Sequence, residues 1–144
     1  YRDEHLVAIN KPAGLLVHRS WLDKGETQLA MQMTRDLIGQ HVYTVHRLDR
    51  PTSGILLFAL DPETARHLTD AFATHRMQKE YLALVRGWAP LQQFLDYPLK
   101  EELDRIADKF ADPDKPAQPA KTHIRCIARI ELPFAVCRIP ETPK

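Results

Sequence analysis

His46-Arg47-Leu48-Asp49-Arg50-Pro51-Thr52-Ser53-Gly54 is a polar nonapeptide set between two runs with the composition of strands. Before it, His41-Val42-Tyr43-Thr44-Val45 alternates polar with β-branched or aromatic residues. After it, Ile55-Leu56-Leu57-Phe58-Ala59-Leu60 is continuously apolar, the pattern of a strand covered on both faces. The nonapeptide therefore links two core strands. Pro51 fixes φ, Thr52 and Ser53 offer hydroxyls to the local backbone, and Gly54 admits a conformation that a side chain would forbid, so a tight link is expected. Such a link holds its carboxylate still. Asp49 stands between two guanidiniums, Arg47 and Arg50, which favour its ionised form. Two cations around an anion on a loop suit a phosphate-bearing ligand. On the residues alone, a surface turn with a local ion pair fits equally well.

The chain has 144 residues, enough for one ordinary domain, and its 44% hydrophobic content argues against disorder. Lys and Arg number 20 against 19 Asp and Glu, a net charge of +1, so no global basic field marks it as a nucleic-acid binder. Any RNA surface must be local. Cys126 and Cys137 are the two cysteines and lack Cys-x-x-Cys spacing, which argues against a disulfide framework or a zinc site and fits a reducing, cytoplasmic setting. No signal peptide or membrane-length apolar run is read.

Residues 5–10 read as a strand, 11–14 as a turn and 15–18 as the returning strand of a hairpin; Asn10 and Lys11 are given no catalytic role, a Lys beside Pro in a turn being more often solvated than in contact with a ligand. His18-Arg19-Ser20-Trp21 joins a cation, a hydroxyl and an indole, a set that holds a phosphate and a base, although a core Trp beside a surface Arg is as plausible. Leu29, Met33 and Leu37 recur at helical spacing, with the methionines read as core filler and Gly39 placed to end the helix. Asp61-Pro62-Glu63 carries the signature of a helix start, and Ala65, Leu68 and Phe72 form that helix's buried stripe. Residues 79–86 read as another strand buried on both sides, and 122–130 as a half-exposed strand with 132–139 returning antiparallel. Between them, residues 96–114 hold seven acids and three bases, a stretch expected to face away from RNA. Strands separated by two amphipathic helices and long loops give an α+β class with a mixed, mainly antiparallel sheet and flanking helices.

Three blocks, in order, resemble the RluA-type pseudouridine synthases: residues 6–18 (Leu-Val-Ala-Ile-Asn-Lys-Pro-Ala-Gly-Leu-Leu-Val-His), the nonapeptide with Ile55-Leu56-Leu57, and residues 78–87 (Gln-Lys-Glu-Tyr-Leu-Ala-Leu-Val-Arg-Gly). The resemblance implies the pseudouridine synthase fold and isomerisation of uridine to pseudouridine without metal or organic cofactor. It makes Asp49 the catalytic residue, places Arg47 in the gap left by the flipped nucleotide and against Asp49, and lays Tyr81 against the target uracil. Arg50 is assigned to phosphate, and His46 joins the RNA-binding set. Residues 96–99 and 101–110 resemble the branch of the family acting on tRNA, which suggests a T-stem uridine in tRNA, with rRNA as a second possibility and no membrane or protein partner implied. Tyr81 also has a structural reading, a ring buried in a strand with its hydroxyl on a neighbour.

Family members continue into a block resembling Gly-Arg-x-His-Gln-Leu-Arg, which residues 135–144 do not match. The chain is thus expected to be truncated, with residues 1–144 the N-terminal part of a single catalytic domain, inactive or self-associating in isolation. The competing class is a non-catalytic or degenerate tRNA-binding piece of a synthase. A Ser53, His46, Asp49 hydrolase is disfavoured because one short loop holds all three without a Gly-x-Ser-x-Gly elbow, and a metal site from His41, His46 and Asp49 because the strand between would not converge them.

Overall fold

The computed structural model describes residues 1–18, 25, 27–100 and 116–131. The chain divides into two compact units, residues 1–81 and 82–144. In the first, β1 (Leu6–Lys11) is followed by α1 (Ala30–Ile38), β2 (Tyr43–Thr44), β3 (Gly54–Ala59) and α2 (Pro62–Ala73). The second contains β4 (Gln92–Asp96) and β5 (Lys121–Arg125), an antiparallel pair in register from Gln92 opposite Arg125 to Asp96 opposite Lys121. The class is α+β, with antiparallel sheets and two helices.

The sheet of the first unit has the order β1-β3-β2, and every pairing in it is antiparallel. β3 is central because it is the most apolar segment. Leu56 and Phe58 are fully buried, and the residues opposite them on β1, Ile9 and Val7, share their face. Val17, Ala30, Val42, Leu48 and Leu60 complete that core, with Met31 and Ile38 of α1 packed against it. α2 packs on β2 and β3. Coverage of β3 on both faces is incomplete, however: Ile55 is 72% exposed and Leu57 half-buried, because the second face is covered only toward its Ala59 end.

The hairpin expected from residues 5–18 does not form. β1 pairs with β3, and the chain after the turn makes an isolated parallel bridge from Leu16 to Leu29. The reason lies at the start of α1. Its N-cap is Leu29, whose side chain accepts no hydrogen bond, and the first helical N–H groups instead reach the carbonyls of Leu16 and Val17, Ala30 N to Leu16 O at 2.8 Å and Met31 N to Val17 O at 3.1 Å. Residues 16 and 17 cap a helix rather than extend a sheet. The buried face of α1 is also turned by one residue from the expected stripe. Ala30 and Thr34 are buried, whereas Met33 is exposed and Leu37 is 83% exposed. Thr34 is accommodated because its hydroxyl donates to Ala30 O at 2.7 Å. Gly39 ends the helix as expected, at φ 66°, its N–H on Arg35 O.

α2 begins where its sequence says it should. The Asp61 carboxylate accepts from Thr64 N at 2.8 Å and from the Thr64 hydroxyl at 2.7 Å, Pro62 opens the helix, and Ala65, Leu68 and Phe72 are its half-buried stripe. The strand expected over residues 79–86 is absent. That segment is irregular and exposed, Leu84 at 97%, because no described strand pairs with it. β5 realises the first part of the strand expected over 122–130, and β4, which no sequence pattern announced, is its partner. The returning strand at 132–139, the acidic residues 101–114, Arg19, Ser20 and Trp21, and Cys137 lie outside the described residues.

Candidate functional site

Leu48 anchors the nonapeptide. Its side chain is buried in the core while its neighbours Arg47 and Asp49 are exposed, so the core holds the loop from below and both ionic groups face solvent. A hydrogen bond from Thr52 N to Asp49 O, 3.0 Å, closes a turn over residues 49–52, and Gly54, at φ 128°, leads the chain into β3. That φ is one a side chain would strain, as the sequence suggested.

β2 ends at Thr44, opposite Phe58, so the next antiparallel position leaves the Leu57 N–H without a strand partner. His46 takes that place. Its Nε2 accepts from Leu57 N at 3.0 Å, and its ring stacks on Phe72 of α2, centroids 4.5 Å apart and planes 22° from parallel. Burial lowers the imidazole's pKa from its ordinary value, a backbone hydrogen bond with Arg47 opposes that, and Lys79 adds a smaller lowering. The ring is thus a neutral strut between the sheet, α2 and the loop. Its Nε2 and one ring face are committed to partners within the fold, which leaves that nitrogen unavailable to a Ser53 hydrolase relay.

On the other flank the loop is tied to the turn after β1. Gly14 N donates to Arg50 O at 2.7 Å, and Arg50 Nε donates back to Gly14 O at 3.0 Å. Lys11, expected in solvent, is 0% exposed, and its Nζ donates to Pro12 O, Leu15 O and Arg50 O at 3.1, 2.7 and 3.3 Å. Desolvation lowers its pKa, and the Asp49 charge opposes the shift. Sequence reasoning missed this residue because its partners are backbone carbonyls that only the fold assembles.

Arg47 does not hold Asp49 as expected: among the described residues the Asp49 carboxylate makes no ion pair, and its charge bears on the buried Lys11 ammonium. Arg50 is drawn toward Gly14 by its Nε. Tyr81 is 63% exposed at the end of the first unit, so its ring is not buried in a strand. Among the described residues no cluster of His, Cys, Asp or Glu could hold a metal, and no helix is long and apolar enough to cross a membrane. A depression at the start of α2, lined by His5, Asp61, Glu63, Thr64, His67 and Leu68, shares no residue with the nonapeptide.

What the arrangement offers chemically is an exposed carboxylate on a loop fixed at three points, with arginines on either side in sequence. The chain is 61% identical over 140 residues to the tRNA pseudouridine synthase C of Pectobacterium carotovorum subsp. carotovorum, covering 97% of this chain and 37% of that protein. It is 60% identical over 142 residues to that of Vibrio cholerae serotype O1, covering 99% of this chain and 58% of that protein. The chain therefore spans about a third to three-fifths of the length of these relatives. Among solved structures, human RNA pseudouridylate synthase domain containing 4 shares the fold, with a TM-score of 0.54 and 23% identity over 85% of this chain and 51% of that one. The RNA pseudouridylate synthase family profile matches residues 5–142, and the chain belongs to that family.

Proposed function

We propose that the full-length protein to which this chain belongs isomerises uridine to pseudouridine in tRNA, at a T-stem uridine, with Asp49 as its catalytic carboxylate and no cofactor. The observation that carries this reading is the setting of Asp49, a solvent-facing carboxylate on a loop anchored by Leu48, His46 and the turn after β1. The reaction breaks the N1–C1′ bond, turns the uracil and joins C5 to C1′. Asp49 serves either as a nucleophile at C1′ or as the base that removes a ribose proton to give a glycal. Arg47, exposed beside it, fills the gap left by the everted nucleotide, Arg50 meets phosphate, and Tyr81 stacks on the uracil. His46 positions the loop and does not touch RNA. Relatives named for tRNA support the substrate, and a cytoplasmic setting is part of the same proposal.

A second reading, an RNA-binding piece without catalysis, is favoured by one observation: Asp49 and Tyr81 are both open to solvent, whereas glycosidic chemistry needs a dry site. Mapping pseudouridine in tRNA incubated with the protein separates the two. Catalysis predicts new pseudouridine at one position with the wild type and a loss of more than about 100-fold with Asp49→Asn at unchanged tRNA affinity. Tight tRNA binding with no pseudouridine supports the binding piece.

A further inference from the structure

Lys11 is the last residue of β1 and stands opposite Gly54, the residue that ends the nonapeptide. An ammonium group has three protons, and here three carbonyl oxygens receive them: two from the turn that follows, Pro12 and Leu15, and one from Arg50, next to Asp49. The backbone bond from Gly14 N to Arg50 O and the Arg50 guanidinium on Gly14 O lie beside the ammonium, so the Arg50 carbonyl accepts from both Gly14 N and Lys11 Nζ.

A lysine hidden from solvent carries a desolvation penalty, and the chain keeps one at the root of the loop that presents its carboxylate. An apolar residue would fill the space without that penalty, but it would leave the three carbonyls without the ammonium and remove one of the bonds that join the two loops. We propose that Lys11 is a positioning residue, which locks residues 12–15 to the Arg50 carbonyl and so fixes the peptide that presents Asp49. This rests on the reading of Asp49 as the catalytic group. Lys11 touches neither substrate nor reacting atoms. The Asp49 charge in turn opposes the desolvation of the buried ammonium.

The test compares wild type, Lys11→Met and Lys11→Arg, the last keeping charge and donors. Amide hydrogen exchange in the chain itself is read at Gly14, whose N–H joins the turn after β1 to the Arg50 carbonyl, at Thr52, whose N–H closes the turn over residues 49–52, and at Val7 and Phe58 in the sheet. The proposal expects exchange at Gly14 and Thr52 to rise about tenfold or more in Lys11→Met with the sheet amides unchanged, and Lys11→Arg to restore protection. Pseudouridine formation on tRNA should then show kcat reduced roughly 10–100-fold in Lys11→Met with KM unchanged, and recovery in Lys11→Arg.

Wild-type exchange at Gly14 and Thr52 in Lys11→Met overturns the proposal, as does equal loss of kcat in Lys11→Met and Lys11→Arg. If Lys11→Met exposes the sheet amides as well, Lys11→Gln, whose amide is one atom shorter and has two protons for three carbonyls, decides: faster exchange confined to Gly14 and Thr52 supports the proposal, and unchanged exchange there overturns it. Absence of pseudouridine from the wild-type reaction defeats the proposed function instead, and the exchange measurements still decide whether Lys11 fixes the loop.

Discussion

His46 ties the chemistry of the loop to pH. Its Nε2 accepts the Leu57 N–H only while unprotonated, and burial holds the folded-state pKa below the ordinary histidine value. A histidine depressed in this way stabilises the fold fully above its unfolded pKa, about 6.5, and that contribution is lost as pH falls through the lower folded value. Denaturation followed from about pH 7.5 to pH 5 should therefore show falling stability. In His46→Phe, which keeps the stack on Phe72, that acid loss should flatten, while stability at pH 7.5 drops by about 1 kcal/mol because Leu57 loses its acceptor. An unchanged acid limb in the variant would contradict the assignment. Asp3 and Asp61, whose carboxyls are held below the usual range by backbone N–H groups, contribute to acid loss only below about pH 4, so the two effects separate.

Among the elements, α2 was legible in full and α1 only in part. Asp61-Pro62-Glu63 specifies its helix start locally, through a side chain that reaches Thr64 N three residues on, and nothing distant has to be known. For α1, counting apolar residues selects Leu29, Met33 and Leu37, but the packed face runs through Ala30 and Thr34. A threonine that satisfies its own hydroxyl on the preceding turn behaves as a buried residue, which hydrophobic spacing does not register. Leu37→Gln should therefore change stability by less than about 0.5 kcal/mol, whereas Leu29→Ala, at a fully buried position, should cost about 2–5 kcal/mol. Chemical denaturation checks both, and a cost at Leu37 as large as that at Leu29 would restore the original stripe. The expected hairpin fails for a related reason. Adjacent strands in sequence are the default pairing, whereas β1 pairs with β3 across more than forty intervening residues, and only the apolar weight of Leu56 and Phe58 at the sheet centre explains that choice.

For the molecule as a whole, the first unit has the sheet, the core and the candidate site, while the second exposes much of its apolar content. Leu82, Leu84, Leu91 and Phe94 are all exposed, as are Ile127 and Ile130. Exposed apolar side chains of this number drive association. Sedimentation of the isolated chain should show self-association that grows with concentration, and Leu82→Lys with Leu84→Lys should reduce it without lowering the thermal midpoint; a strictly monomeric wild type would contradict this. In the nonapeptide Gly54 was legible, because it acts through local geometry, whereas the anchoring role of Leu48 depends on a core that only the fold assembles. Lys11 and His46 were not legible, since each is defined by a backbone partner brought from elsewhere in the fold.

The central claim is that Asp49 performs the isomerisation, and tritium release from tRNA labelled at C5 of uridine tests it most directly, because C5 must lose its hydrogen when it joins C1′. The full-length wild type should release tritium and its Asp49→Asn variant none above background, with Arg47→Ala weakening both release and tRNA binding. Release by Asp49→Asn at the wild-type rate would contradict the claim.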